Sequence, residues 1–215
     1  MLNIAEIIKL YLVTDRRFAV DRNFNDIIIE AIAGGVTVVQ LREKNIETRE
    51  FYNKAIELKA ILKEYNIPLI INDRVDIAYA SDADGVHLGQ SDLPIKYARE
   101  ILGKNKIIGL SVNTVKQAIE AEKSGADYIA ISPVFPTPTK VDIDPPVGLE
   151  GIPIIRESVN IPIVGIGGIN KNNAKKVIEA GCDGVAVVSA IMGAKDPKLA
   201  ASELLNEVLD GLKSK

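Results

Sequence analysis

The sequence predicts a closed parallel (β/α)₈ barrel, one domain spanning residues 1–215. Short apolar runs alternate with segments of helical period along the whole chain, and such runs number eight. A glycine-led junction recurs just before several of them. Strands alternating with helices argue for a parallel sheet, and eight strands is the number at which this architecture closes. The chain is short for the fold but within its range; an open doubly wound sheet is the alternative arrangement. No break in composition, linker or low-complexity tract divides the sequence.

The elements follow in order. Leu10–Val13 is the first apolar run. Val36–Leu41 follows Gly34-Gly35 and opens with β-branched residues. Thr48–Glu64 carries Phe51, Ala55, Leu58 and Leu62 at spacings of three and four, the mark of a helix with one buried face. Pro68–Ile71 is the third strand and Gly85–Leu88 the fourth, the latter entered from Ser81-Asp82-Ala83-Asp84. Ile107–Leu110 is the fifth, followed by a helix over Thr114–Lys123 with Val115, Ala118 and Ile119 inward. Tyr128–Ile131 is entered from Gly125-Ala126-Asp127. Ile161–Ile166 precedes a helix over Asn172–Ala180, and Gly184–Val188, entered from Gly181-Cys182-Asp183, completes the set. In each junction glycine ends a helix by accepting a left-handed backbone, and the chain then enters the sheet.

Composition excludes several functions. A net charge of −3 gives no basic surface for nucleic acid, and the absence of Trp with few Phe and Tyr argues against stacking on single strands. No uncharged apolar run reaches the length of a membrane span, and no signal peptide is evident. A single cysteine, Cys182, forbids an intrachain disulfide and fits a cytoplasmic protein; its setting reads as that of a small buried apolar residue.

Barrel catalysis sits at the C-terminal ends of strands, so the residues there carry the functional argument. After the second strand come Gln40, Arg42 and Lys44, which alternation places on one face. Two cations and an amide where a buried strand ends ask for an anionic ligand. The bland reading of Arg42 and Lys44 is a surface ion pair with Glu43 or Glu47. The third strand leads to Asn72 and Asp73, and the fourth to Gln90, Ser91 and Asp92. Asp73 and Asp92 could jointly hold Mg²⁺, or each could cap a helix. The fifth strand ends at Ser111. The sixth leads into Ser132–Gly148, which holds five prolines together with Thr137, Thr139 and Lys140, residues suited to an anion. The seventh ends in Gly165-Ile166-Gly167-Gly168 and the eighth in Val188-Ser189, where many barrels bind phosphate. His87, the only histidine, reads as structural or supporting rather than as a general base.

Tyr11-Leu12-Val13-Thr14-Asp15, Gln40-Leu41-Arg42-Glu43-Lys44, Ile71-Asn72-Asp73, Asp84 through Gln90 with Asp92, Pro133 through Lys140, and Gly165 through Ile169 together resemble thiamine-phosphate synthase, in family order over nearly the whole chain. The resemblance implies a barrel that joins hydroxymethylpyrimidine diphosphate to hydroxyethylthiazole phosphate, giving thiamine phosphate and diphosphate through a pyrimidinyl cation. It implies that Gln40, Arg42, Lys44, Asn72, Ser111 and Lys140 contact the pyrimidine diphosphate, with Arg42, Lys44 and Lys140 acting in catalysis. It assigns Asp73 and Asp92 to Mg²⁺, and Thr137, Thr139, Gly168, Val188 and Ser189 to the thiazole phosphate. The partners expected are these small molecules, without nucleic acid or membrane, and relatives are often homodimers. A thiazole tautomerase of the same fold is the nearest alternative, but it uses a histidine where this chain has Ser132-Pro133. A non-catalytic phosphate-binding barrel is the alternative of another class; it would lack the metal pair or the cations.

Overall fold

The computed structural model describes residues 3–137 and 145–215. Eight parallel strands close into a barrel in sequence order: β1 (Leu10–Val13), β2 (Val38–Leu41), β3 (Leu69–Asn72), β4 (Gly85–Leu88), β5 (Ile107–Val112), β6 (Tyr128–Ile131), β7 (Ile163–Ile166) and β8 (Gly184–Val187), with β8 pairing back onto β1. The closed sheet excludes the open doubly wound alternative. The expected strands are all present; β1, β4 and β6 have the expected bounds, and the other five differ at an end by one or two residues.

The expected helices appear as α3 (Thr48–Glu64), α6 (Val115–Lys123) and α8 (Ala174–Glu179). The spacing that predicts α3 gives its buried face, since Phe51, Ala55, Leu58 and Leu62 are its buried residues. Thr114 stands outside α6 as its cap, accepting a hydrogen bond from the Gln117 N–H at 3.2 Å. The remaining helices are α1 (Ile4–Ile7), α2 (Phe24–Ala33), α4 (Val75–Ala80), α5 (Ile95–Leu102), α7 (Gly148–Ser158), α9 (Ser189–Met192) and α10 (Pro197–Lys213), with a 3₁₀ turn over Arg16–Phe18.

Strand alternation divides the core in two. Leu10, Leu12, Val39, Leu41, Leu69 and Ile71 join the layer between sheet and helices. Tyr11, Val13, Val38, Ile70, Ile107, Tyr128, Ala130, Val164 and Ala186 fill the barrel interior, closed below by Ile8 with Ile4 and Ile7 of α1. This interior is packed in its lower half only, and the space above it is the site.

The recurrent junction has a structural purpose. Asp84, just before β4, accepts from the N–H of Leu69 at 2.8 Å. Asp127, before β6, accepts from Ile108 at 2.7 Å, and Asp183, before β8, from Ile163 at 2.8 Å. Thr37 plays the part before β2, its hydroxyl oxygen accepting from the Leu10 N–H at 3.0 Å. Each side chain thus satisfies a backbone donor at the start of the preceding strand, where the sheet offers no carbonyl. The repeat visible in sequence ties the N-terminal rim of the barrel together in alternate pairs, opposite the rim that carries the chemistry.

Candidate active site

A cavity of about 340 Å³ opens at the C-terminal ends of the strands. It is lined by Gln40, Arg42, Lys44, Asn72, Asp73, Ser111, Thr137, Gly168, Val188 and Ser189. These come from separate loops, and the barrel brings them to one place. Asp92 stands beside the cavity, against Asp73. Thr139 and Lys140 lie outside the described residues.

Gln40 is the last inward residue of β2 and is buried. Arg42 and Lys44 lie beyond the end of the strand and still line the cavity. Their partners are not Glu43 or Glu47. Glu43 instead pairs with Arg16. The Arg42 N–H donates to the Thr14 hydroxyl oxygen at 3.1 Å, and its guanidinium lies 3.7 Å from the Asp15 carboxylate. Asp15 is itself held by three hydrogen bonds from the Arg17 guanidinium, at 3.0, 3.1 and 2.5 Å, and by the Arg17 N–H at 3.0 Å. Burial opposes ionisation of Asp15, but the Arg17 bonds and the Arg42 charge outweigh it and hold its carboxyl below the usual range. Thr14-Asp15, at the end of β1, thus anchors Arg42 by backbone and by side chain.

Lys44 forms an ion pair with Asp73. Asp73 adopts a left-handed backbone, φ 63°, which turns its carboxylate toward Lys44 and Asp92. It does not cap a helix: Arg74 occupies that position on α4. Asp92 does not cap α5 either, where Pro94 precedes the helix; its carboxylate accepts from the Gly89 N–H at 2.6 Å. Burial raises the Asp92 pKa, and the hydrogen-bonding and charge of Asp73 raise it further. Two carboxyl groups in contact, with Lys44 paired to one of them, could hold a hard cation that takes oxygen ligands. Among the described residues no group of three His, Cys, Asp or Glu side chains gathers that could hold a metal ion by itself.

Asn72, inward on β3, is buried, and its side-chain Nδ2 has no hydrogen-bond partner among the described residues. An unsatisfied buried donor costs about 1–3 kcal/mol, so this one points to a ligand acceptor. On the other side of the cavity, β7 ends in Gly167 and Gly168, with φ of 102° and 65°. A Cβ on either would press within 2.7 Å of the Pro133–Pro136 segment, so the loop after β6 packs down on bare backbone. Its Val134 N–H donates to the Ile166 carbonyl at 2.8 Å, and the Phe135 N–H to the Gly167 carbonyl at 3.1 Å. Ser189 begins α9; the N–H groups of Ile191 and Met192 donate to the Val188 carbonyl at 3.2 and 2.9 Å, and those of Ser189 and Ala190 precede the first helical acceptor. Gly168, Val188 and Ser189 line the cavity together with Thr137, which follows the segment packed on Gly168.

The floor holds residues that reading by strand ends passes over. Tyr11, His87 and Ala130 line the cavity, and Tyr128 lies beneath. The signal for Tyr11 was available: a tyrosine at an inward position of a buried strand needs a polar partner. His87 supports other side chains and is described further below. Cys182 is fully buried in the sheet–helix layer, where desolvation pushes its thiol up to about 12, so it is inert.

The model of the family described as thiamine monophosphate synthase matches residues 10–191. A thiamine-phosphate synthase of Clostridium botulinum strain Kyoto is 55% identical over 197 residues, covering 92% of this chain and 96% of that protein. One from Syntrophomonas wolfei is 56% identical, covering 87% and 90%. The solved structure of a thiamine phosphate pyrophosphorylase from Pyrococcus furiosus superposes with a TM-score of 0.88 at 47% identity, covering 98% of this chain and all of that one. A 3-hexulose-6-phosphate synthase, 20% identical with a TM-score of 0.70 over 93% of this chain and 99% of its own, shares the barrel fold.

Proposed function

The chain belongs to the thiamine monophosphate synthase family, and on that premise we propose that it joins hydroxymethylpyrimidine diphosphate to hydroxyethylthiazole phosphate, yielding thiamine phosphate and diphosphate. It is a transferase of thiamine biosynthesis. The observation that carries the finer reading is the contact of Asp73 with Asp92 beside Lys44 and Arg42, at the mouth of a cavity with an otherwise neutral floor.

In this reaction the pyrimidine CH₂–O bond breaks first, and its electron pair leaves on the diphosphate oxygen. The thiazole nitrogen then donates its lone pair to the resulting pyrimidinyl cation. The bond exchange itself moves no proton, so it needs neither a general base nor a nucleophile from the protein. Arg42 and Lys44 stand where charge develops on the leaving group, and Arg42 is already oriented by Asp15 and Thr14, so it need not reorganise as the bond breaks. Gln40, Asn72 and Ser111 hold the pyrimidine from the barrel wall, with the free Asn72 amide donating to it. Thr137, Gly168, Val188 and Ser189 hold the thiazole phosphate on the far side. Mg²⁺, when held by Asp73 and Asp92, supplies further positive charge to the departing diphosphate. The purified chain with both substrates and Mg²⁺ is expected to form thiamine phosphate and release diphosphate. Folded protein that forms no product would overturn the reading.

The carboxylate pair yields a second expectation. Because the native Asp92 pKa is raised, its protonated form adds stability below the unfolded carboxyl pKa. That contribution is lost as pH rises through the native value. Mg²⁺ competes with the same proton. The rise in melting temperature on adding Mg²⁺ should therefore grow as pH climbs through the raised Asp92 value, and then level off. Asp73→Ala should abolish most of that rise. An Mg²⁺-induced shift in Asp73→Ala equal to the wild-type shift would remove Asp73 from the metal site.

A further inference from the structure

Five side chains from five strands form a continuous hydrogen-bonded line through the barrel. Gln40 Nε2 donates to Tyr11 Oη at 2.8 Å, and Tyr11 Oη lies 3.0 Å from Tyr128 Oη. Tyr128 Oη lies 2.9 Å from His87 Nδ1, and His87 Nε2 lies 2.9 Å from Ser111 Oγ. The two ends, Gln40 and Ser111, face the cavity, while Tyr128 is wholly buried below it. The aromatic members are also packed, with the His87 and Tyr128 rings stacked at 5.5 Å and the two tyrosine rings tilted at 6.1 Å. Burial raises the pKa of both phenols, which keeps them neutral hydroxyls, each with one proton to give.

A line of single-proton donors has a direction. With Gln40 Nε2 donating to Tyr11, the Tyr11 proton goes to Tyr128 and the Tyr128 proton to His87 Nδ1. Neutral His87 then carries its own proton on Nε2 and donates it to Ser111 Oγ, which leaves the Ser111 O–H to donate into the cavity. The Gln40 Oε1 is then the amide's free acceptor. Run the other way, the amide turns over and Gln40 offers N–H donors, while Ser111 gives its proton to His87 and offers lone pairs. The hydrogen-bonding character of one cavity wall is thus tied to that of the other, through Tyr11 and His87 on the cavity floor and the wholly buried Tyr128 beneath them.

We propose that this line is a specificity device, which forces Gln40 and Ser111 to present opposite hydrogen-bonding characters to a flat ring, and that Tyr128 is a positioning residue that transmits the constraint. The inference rests on the reaction proposed above and says what part of the pyrimidine is read. An aminopyrimidine, with amine donors and ring-nitrogen acceptors, suits one direction of the line. Its oxo analogue, in which a carbonyl oxygen replaces the amine and a ring nitrogen gains a proton, exchanges donor and acceptor along that edge. Because a mismatch at one wall cannot be repaired without reversing the whole line, the discrimination should exceed what either residue gives alone.

The test is calorimetric binding of the aminopyrimidine diphosphate and its oxo analogue to the full chain, wild type against Tyr128→Phe and Tyr11→Phe. Either substitution keeps the ring that packs the floor and cuts the line at a different oxygen, so one remains informative if the other fails to fold. The expected result is that the amino-over-oxo preference falls by about tenfold in each variant, the worth of one hydrogen bond in this setting. A merely structural role would weaken both ligands alike and leave the ratio where it was. An unchanged ratio in the folded variants overturns the proposal and leaves the proposed reaction intact. Wild-type protein that binds neither ligand overturns both readings, whereas selective binding without turnover overturns the reaction alone.

Discussion

Replacing Arg42 by alanine is expected to lower kcat by about 10²–10³-fold, the loss typical of removing one preorganised donor from a site of developing charge. Three features set the size of that effect. The guanidinium is mostly shielded, and Asp15 and the Thr14 hydroxyl hold the residue in place before substrate arrives. Its fork can take two oxygens of a diphosphate together, which a lysine ammonium cannot. Removing it does not strand Asp15, because Arg17 still donates to both oxygens of that carboxylate, so the variant should fold. Lys44→Ala should cost less. Lys44 is half exposed and tied to Asp73, so its removal lowers the charge at the mouth but also releases an oxygen for Mg²⁺. Steady-state kinetics of the three proteins check this. Arg42→Ala should leave the KM for thiazole phosphate within about twofold, since only the transition state feels the lost charge. A kcat within threefold of wild type, roughly 0.7 kcal/mol, would show that Arg42 does not face the leaving group.

The cations also show what a sequence discloses and what it withholds. Alternation along β2 and the cost of buried charge place Gln40, Arg42 and Lys44 at one site without any coordinates, because both rules are local. The eight strands are legible for the same reason: β-branched runs and glycine junctions act within ten residues. The partners of Arg42 and Lys44 were not legible. Glu43 and Glu47 are nearest in sequence, but Asp15 and Asp73 are nearest in space, since barrel closure sets β1 and β3 on either side of β2. Helix α7 escapes a reading by periodicity because Gly148, Gly151 and Pro153 depress its propensity, and it is held instead by burial of Ile152 and Ile155. The line from Gln40 to Ser111 escapes as well. Each member is an unremarkable residue on its own strand, and only strand register together with closure of the barrel, which brings β1 and β4 to β6 across its interior, makes them neighbours.

Register also identifies a one-methyl substitution that strikes the floor of the site itself. Gly109→Ala adds one methyl group to β5, at the inward position that pairs with Tyr128 on β6 and His87 on β4. A Cβ there would lie 2.1 Å from Tyr128 Cζ and 2.5 Å from its hydroxyl oxygen, far inside contact distance. The ring cannot swing clear, because it is fully buried between Tyr11 and His87 and bonded to both. Overpacking of this kind costs about 1–3 kcal/mol, and displacing the phenol weakens two hydrogen bonds worth about 1 kcal/mol each. At about 2–4 °C per kcal/mol for a chain of this length, the melting temperature should fall by roughly 5–15 °C. Aminopyrimidine diphosphate should bind more weakly in the same variant, since Tyr128 can no longer hold the line between Gln40 and Ser111. The double variant Gly109→Ala/Tyr128→Val separates the two effects. It makes room for the methyl group and so should recover part of the melting temperature. It removes the phenol as well, so pyrimidine binding should stay weak. A Gly109→Ala protein that melts within 2 °C of wild type would show that the floor can yield, and a floor that yields cannot impose a hydrogen-bonding direction on the walls above it.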